Sequence, residues 1–209
     1  MHVGLGIICV LLGAIIFTSG CLSSIFPDPV AVTPSPAPTP VPTTESPVET
    51  LPLSQLAILP DELPSDYILK ERSDRTYLET DTISRDLGWK AGYIVTYYRV
   101  NREKYDMTGF SQTIDLYSLD SMNMVFNVKK EDIISQENET IKIYVLPCKK
   151  MGENTFAYKT VNEKNPRSLS QYTIIFTRKN VYEELTMGGT TTDYETLKDL
   201  AQTAADKIQ

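Results

Sequence analysis

The one histidine of this 209-residue chain is His2, ahead of an apolar run. Everything after that run therefore lacks a Ser-His-Asp triad, a Cys-His pair, a His-based metal site and histidine acid–base chemistry. Carboxylates remain as candidate acids and bases. Asp61/Glu62, Glu131/Asp132 and Glu183/Glu184 are adjacent pairs, and on a strand neighbouring side chains point to opposite faces. They read as solvated surface charge. Only carboxylates distant in sequence, such as Asp115 and Glu183, folded to within about 5–9 Å of each other, would support hydrolysis by a carboxylate pair. No Walker loop, dinucleotide fingerprint or EF-hand spacing is present, and Gly88 to Gly92 and Gly188-Gly189 read as turn or strand-end glycines. The expectation is no catalytic residue, no metal and no cofactor.

Further features bear on binding. Trp89, Tyr93 and Tyr97 alternate onto one face of a predicted strand, with Tyr98 on the other. They offer an aromatic platform for a sugar or apolar ligand, or else a sheet face packed under a helix. Met122, Met124 and Phe126 pose the same choice and read as core. Cys148, beside Lys149 and Lys150, reads as a small buried hydrophobe, the alternative being a reactive thiol. Asn138-Glu139-Thr140 is an N-glycosylation acceptor in a polar stretch. A net charge of -7 without a basic cluster argues against nucleic acid.

The elements that must position these residues begin late. Val3 to Phe17 is an uncharged apolar run followed by Thr18-Ser19-Gly20-Cys21, shorter than a comfortable membrane span. Small residues directly before a cysteine resemble a lipobox, where prokaryotic lipoproteins are cleaved and lipidated. That resemblance implies a signal segment over residues 1–21 and a lipid on Cys21. Thr18 and the absence of Lys or Arg before the run depart from the pattern. An uncleaved anchor continuing through Phe26 is the alternative, and both place the rest of the chain outside the membrane. Residues 22–50 form a Pro/Thr/Ser-rich linker. Prolines at 34, 36, 38, 40 and 42 exclude helix and sheet, and a polyproline II stalk from Pro27 to Thr50 would reach roughly 75 Å.

Residues 51–209 have the length and composition of one globular domain. With Cys148 as its one cysteine, it must be held by its core without an internal disulfide. Leu56 to Pro64 is broken by proline. Strand character marks Tyr67 to Arg72, Trp89 to Val100, Phe110 to Tyr117, Ile141 to Leu146, Thr155 to Val161, Gln171 to Thr177 and Val181 to Met187. Asp81 caps a short helix ended by Gly88. Leu119, Met122, Val125, Phe126 and Ile133 recur at helical spacing. Thr192 and Glu195 form a capping box for a last helix, with Tyr194, Leu197, Leu200, Ala201, Ala204 and Ile208 as its apolar stripe. The absence of βαβ alternation predicts an α+β fold, an antiparallel sheet of about six or seven strands packed against two main helices.

Short runs across this domain, among them Leu59-Pro-Asp-Glu-Leu-Pro64, Leu87-Gly-Trp-Lys-Ala-Gly-Tyr93 and Met151-Gly-Glu-Asn-Thr-Phe156, resemble uncharacterised archaeal surface lipoproteins that carry a Pro/Thr stalk and one small α+β domain. The order of elements also resembles the PsbP/Mog1 sandwich. Neither resemblance implies catalytic residues. The reading is a membrane-anchored extracytoplasmic lipoprotein with a non-catalytic binding or accessory role. Its expected partners are the membrane and an unknown ligand or protein. A carboxylate-based surface enzyme and a purely structural envelope protein are the alternatives.

Overall fold

A computed structural model describes residues 52–103, 106–164 and 170–209. The leader, Cys21 and the Pro-rich linker lie outside them. Among the described residues there are seven strands and three α-helices, in the order β1 (Ile68–Arg75), α1 (Thr82–Asp86), β2 (Ala91–Asn101), β3 (Asp106–Leu116), α2 (Met122–Ser135), β4 (Ile141–Val145), β5 (Asn154–Asn162), β6 (Ser170–Arg178), β7 (Val181–Gly189) and α3 (Tyr194–Lys207). The sheet order is β1-β2-β3-β7-β6-β5-β4, and every neighbouring pair is antiparallel. Two meanders, β1-β2-β3 and β4-β5-β6-β7, thus join along β3 and β7. The α+β class and the seven strands agree with the sequence pattern. Helices number three, one of five residues, in place of two.

Both faces of the sheet are used. On the first face α3 and the segment Leu53–Leu63 cover Tyr93, Val95, Tyr97, Phe110, Ile114 and Leu185, all buried. Each such side chain contributes about 1.5–3 kcal/mol on burial. Segment 53–63 forms two short 3₁₀ turns split by proline, and its Leu56, Ala57 and Ile58 are as buried as any strand residue. On the second face α2 packs on β5, β6 and β7 through Met122, Val125, Phe126 and Ile133. These meet Phe156, Tyr158, Ile175 and Tyr182. Among the described residues no helix is long and apolar enough to cross a membrane.

Several local expectations change. Leu119 falls in a 3₁₀ turn before α2 and is 59% exposed, and Met124 points outward. The N-cap of α3 is Asp193, whose side chain accepts from the backbone N–H of Glu195 and the Thr196 hydroxyl, so Thr192 forms no capping box. A carboxylate at the N-cap bonds the first-turn donors directly. Gly188 and Gly189 are the last two residues of β7, at the strand end the sequence predicts. At Gly189, φ is +149° and a Cβ would sit 2.1 Å from the Met107 carbonyl oxygen, so only glycine lets the two backbones approach. The short helix is as expected: Asp81 accepts from the Ser84 N–H at 2.8 Å, and Gly88 takes φ +82° after its end.

Candidate functional site

Strand alternation separates the predicted site residues. Ile114 pairs with Glu183 and Asp115 with Tyr182. Glu183 therefore faces α3, whereas Asp115 faces α2. The distant carboxylate pair of the sequence reading lies on opposite sides of the sheet and cannot flank one substrate bond.

Glu183 is fully buried. Its Oε2 accepts from Gln112 Nε2 at 2.8 Å, while Oε1 has no hydrogen-bond partner. Burial raises its pKa to about 8, against the pull of Gln112 and Lys207. Gln112 also accepts from the Ile58 N–H at 2.7 Å. Lys207 donates to the Ala57 carbonyl at 2.7 Å and to Glu62 at 2.6 Å. These bonds fasten the entering segment to the sheet. Glu62 is consumed there, and its own Oε2 accepts from the Leu59 N–H.

On the α2 face Asp115 is 3% exposed. One Arg75 nitrogen donates to both its oxygens, at 2.6 and 2.7 Å, and Trp89 Nε1 donates at 2.8 Å. Burial raises its pKa although Arg75 and Trp89 pull the other way. Gly92 makes room for this node, since a Cβ there would stand 2.5 Å from Asp115 Oδ1. Trp89 precedes β2 and packs toward the α2-side cluster. Tyr93 and Tyr97 belong to the opposite core, with the Tyr97 hydroxyl on the Ile58 carbonyl at 2.9 Å. The three rings form no common platform. Glu184 shares the face of Asp115, diagonal to it across β3 and β7. Burial raises its pKa, and the Tyr182 hydroxyl donates to it at 3.3 Å. The Asp115–Glu184 juxtaposition is absent from the sequence reading. Alternation on both strands encodes it, but only once the register of β3 on β7 is known.

Beyond Glu184 this face changes character. Helix α2 covers β5 to β7, and the inner strands carry Thr96, Ser111, Thr113 and Thr186, all half-buried. Thr96 and Ser111 hydroxyls meet at 3.3 Å and those of Thr173 and Thr186 at 3.1 Å. Further along lie Tyr98, Gly109 and Gly188, and a hollow of about 370 Å³ lined by Lys70, Thr96, Tyr98, Met107 and Gly109.

The remaining candidates are peripheral. Cys148 is half-buried, and burial raises its thiol pKa, the opposite of an activated nucleophile. Glu131 and Asp132 lie on α2, not on a strand. Asn138 is exposed between α2 and β4, its Oδ1 accepting from the N–H groups of Thr140 and Ile141 at 2.8 and 2.9 Å. Among the described residues no three His, Cys, Asp or Glu side chains converge as metal ligands.

Comparison of the sequence with protein-family models and with curated proteins gave no match. Among solved structures the chain is similar in fold to the extracellular domain of PknH from Mycobacterium tuberculosis. The TM-score is 0.60 at 10% identity, over 74% of this chain and 93% of that one. At this identity the two share an architecture, and the chemistry of this sheet face must be read from its own residues.

Proposed function

We propose that this chain is an outward-facing binding module, tethered to the membrane by a lipid on Cys21 and raised on the residue 22–50 linker, akin to archaeal surface lipoproteins. The observation that favours binding over catalysis is how the buried carboxylates are engaged, with Glu184, which shares the face of Asp115, accepting from the Tyr182 hydroxyl. Asp115 and Glu183 are on opposite faces, Asp115 is closed off by Arg75 and Trp89, and Glu62 is bound to Lys207. None is free to move a proton on a substrate. The outward placement is supported by the apolar run ending at Cys21 and by a fold shared with a domain described as extracellular. The exposed Asn138 turn suits N-glycosylation in that compartment.

Mass spectrometry of the mature N-terminus tests the tether, with a lipid-modified Cys21 as the expected result. An intact Met1 terminus would remove the lipoprotein reading. Protease treatment of intact cells tests the placement: the domain should be digested, and protection until lysis would overturn it.

A further inference from the structure

The uncovered part of the α2-side sheet face is graded along its strands. Register places Thr113 beside Glu184, then Thr96, Ser111 and Thr186 in one row, then Tyr98, Gly109 and Gly188 in the next. Val100 pairs with Met107 beyond them. Ile68, opposite Tyr98, is 54% exposed, Val100 47% and Met107 50%. The strip thus runs from a carboxylate through hydroxyls to an aromatic and apolar platform over about 20 Å, six residues of strand.

The paired glycines in this strip have no internal explanation. Neither Gly109 nor Gly188 has a positive φ. A Cβ on Gly109 would come no nearer than 3.8 Å to any atom, and one on Gly188 no nearer than 3.7 Å, both ordinary contacts. Gly92 and Gly189, by contrast, are required by close neighbours. Glycine inside a strand weakens it and often marks the close approach of a ligand. Gly109 lines the hollow together with Tyr98, Met107 and Lys70, and Gly188 lies beside it on β7, next to Gln171.

We propose that this strip binds a neutral oligosaccharide, its apolar ring faces lying over Tyr98, Met107 and the two glycines and its hydroxyls meeting Thr96, Ser111 and Glu184. The assignment rests on the binding-module reading and supplies its ligand class. Sugar rings are amphipathic, and the strip offers both halves of that chemistry within one ring's reach. The Thr96 and Ser111 hydroxyls bond one another, and each keeps capacity for a further bond that a purely apolar partner would strip of water, at a desolvation cost. An anionic glycan would find one cation, Lys70, lining the hollow, set against Glu184 and a chain of net charge -7, where like charge repels.

The test is binding of the full-length chain, in detergent micelles, to an array of neutral hexose and N-acetylhexosamine oligosaccharides. Wild type should bind at least one probe. A Cβ at Gly109 makes only ordinary contacts and Gly109→Val adds a β-branched residue to a strand, so it should keep or raise the melting temperature while weakening binding at least tenfold. Tyr98→Ala should weaken binding comparably. No glycan bound by wild type, or binding unchanged in a folded Gly109→Val protein, would overturn the proposal. Vesicle binding or self-association that Gly109→Val abolishes, without glycan binding, would overturn it in favour of another occupant. A null array with Cys21 lipidated and the domain surface-exposed would remove the sugar and leave the tethered module intact.

Discussion

The same inner strands present two unlike surfaces. Toward α3 they carry Tyr93, Val95, Tyr97, Phe110, Ile114 and Leu185, none more than 5% exposed. Toward α2 the intervening positions are Ile94, Thr96, Ser111, Thr113 and Thr186, all half-buried. Backbone pairing is common to both, so the difference lies in what each face is asked to exclude. The first excludes water and tolerates polarity only where Gln112 and Glu183 bond one another and segment 53–63. The second keeps hydroxyls within reach of solvent and leaves two glycines without side chains. Outside the part that α2 and the Asp115 node cover, the inner strands are closed on one side of the sheet and open to a partner on the other.

Truncation on the covered face should produce the largest effect. Phe110 is fully buried and packs 6.3 Å, ring to ring, from Tyr97. Phe110→Ala should cost about 3–5 kcal/mol in denaturant unfolding. A loss under about 1 kcal/mol would mean that the face can collapse around the gap and is not the stable half.

Next in size is the pH response of Glu183. Its pKa is raised from 4.5 to about 8 by burial. The native state therefore holds a proton that the unfolded chain releases between those values. Stability from this group is complete below about pH 4.5, falls as pH rises at up to ~1.4 kcal/mol per unit, and levels off above about pH 8. Urea unfolding of Glu183→Gln across that range should lack this component of the slope. A variant that tracks wild type at every pH would show that the buried carboxyl is not what titrates.

The covered face is the more legible of the two in the sequence. Alternation marks the strands, and the 3.6-residue period marks α2 and α3, because burial selects residue type at every second or fourth position. The stripe Leu197, Leu200, Ala201, Ala204 and Ile208 is buried as its spacing predicts. Trp89 departs from its predicted face because alternation holds only within β2, which begins two residues later. Met124 departs because its type suits a core that its position on α2 does not reach. The candidate site is largely illegible. Glu184 joins Asp115, and Gly109 joins Gly188, across β3 and β7, strands separated by α2 and three other strands. Register between such strands is a tertiary fact. Gly188-Gly189 reads as a strand end, and only the spatial pairing shows that a Cβ has room at the first glycine and none at the second.

A smaller effect belongs to the α1 entrance, beside the open face. Asp81 accepts from Ser84 and from Lys129 of α2, at 2.7–2.9 Å. Partial burial pushes its carboxyl up, but these bonds outweigh it and hold the pKa well below the usual range. Asp81→Ala should cost about 1 kcal/mol near neutral pH, as loss of an N-cap does. Because the native pKa is depressed, the contribution is present above the ordinary carboxylate value and lost as pH falls through the native one. The gap between variant and wild type should therefore close in acid. A constant gap would assign the loss to packing.

The smallest effect should come from the open face itself. Thr96 shares a 3.3 Å contact with Ser111, and both are half-buried. Thr96→Val keeps the shape and β-branching while removing the hydroxyl. Ser111 stays within reach of water, so no polar group is stranded, and the penalty for an unpaired buried donor does not arise. Thermal unfolding should shift by no more than about 0.5 kcal/mol in either direction, the range of surface substitutions. If this one hydroxyl cost as much as a core truncation, its row would be a structural ladder, and the division of labour between the two faces would fail. A neutral Thr96→Val identifies hydroxyls that the fold does not require, on the side where the proposed oligosaccharide would use them.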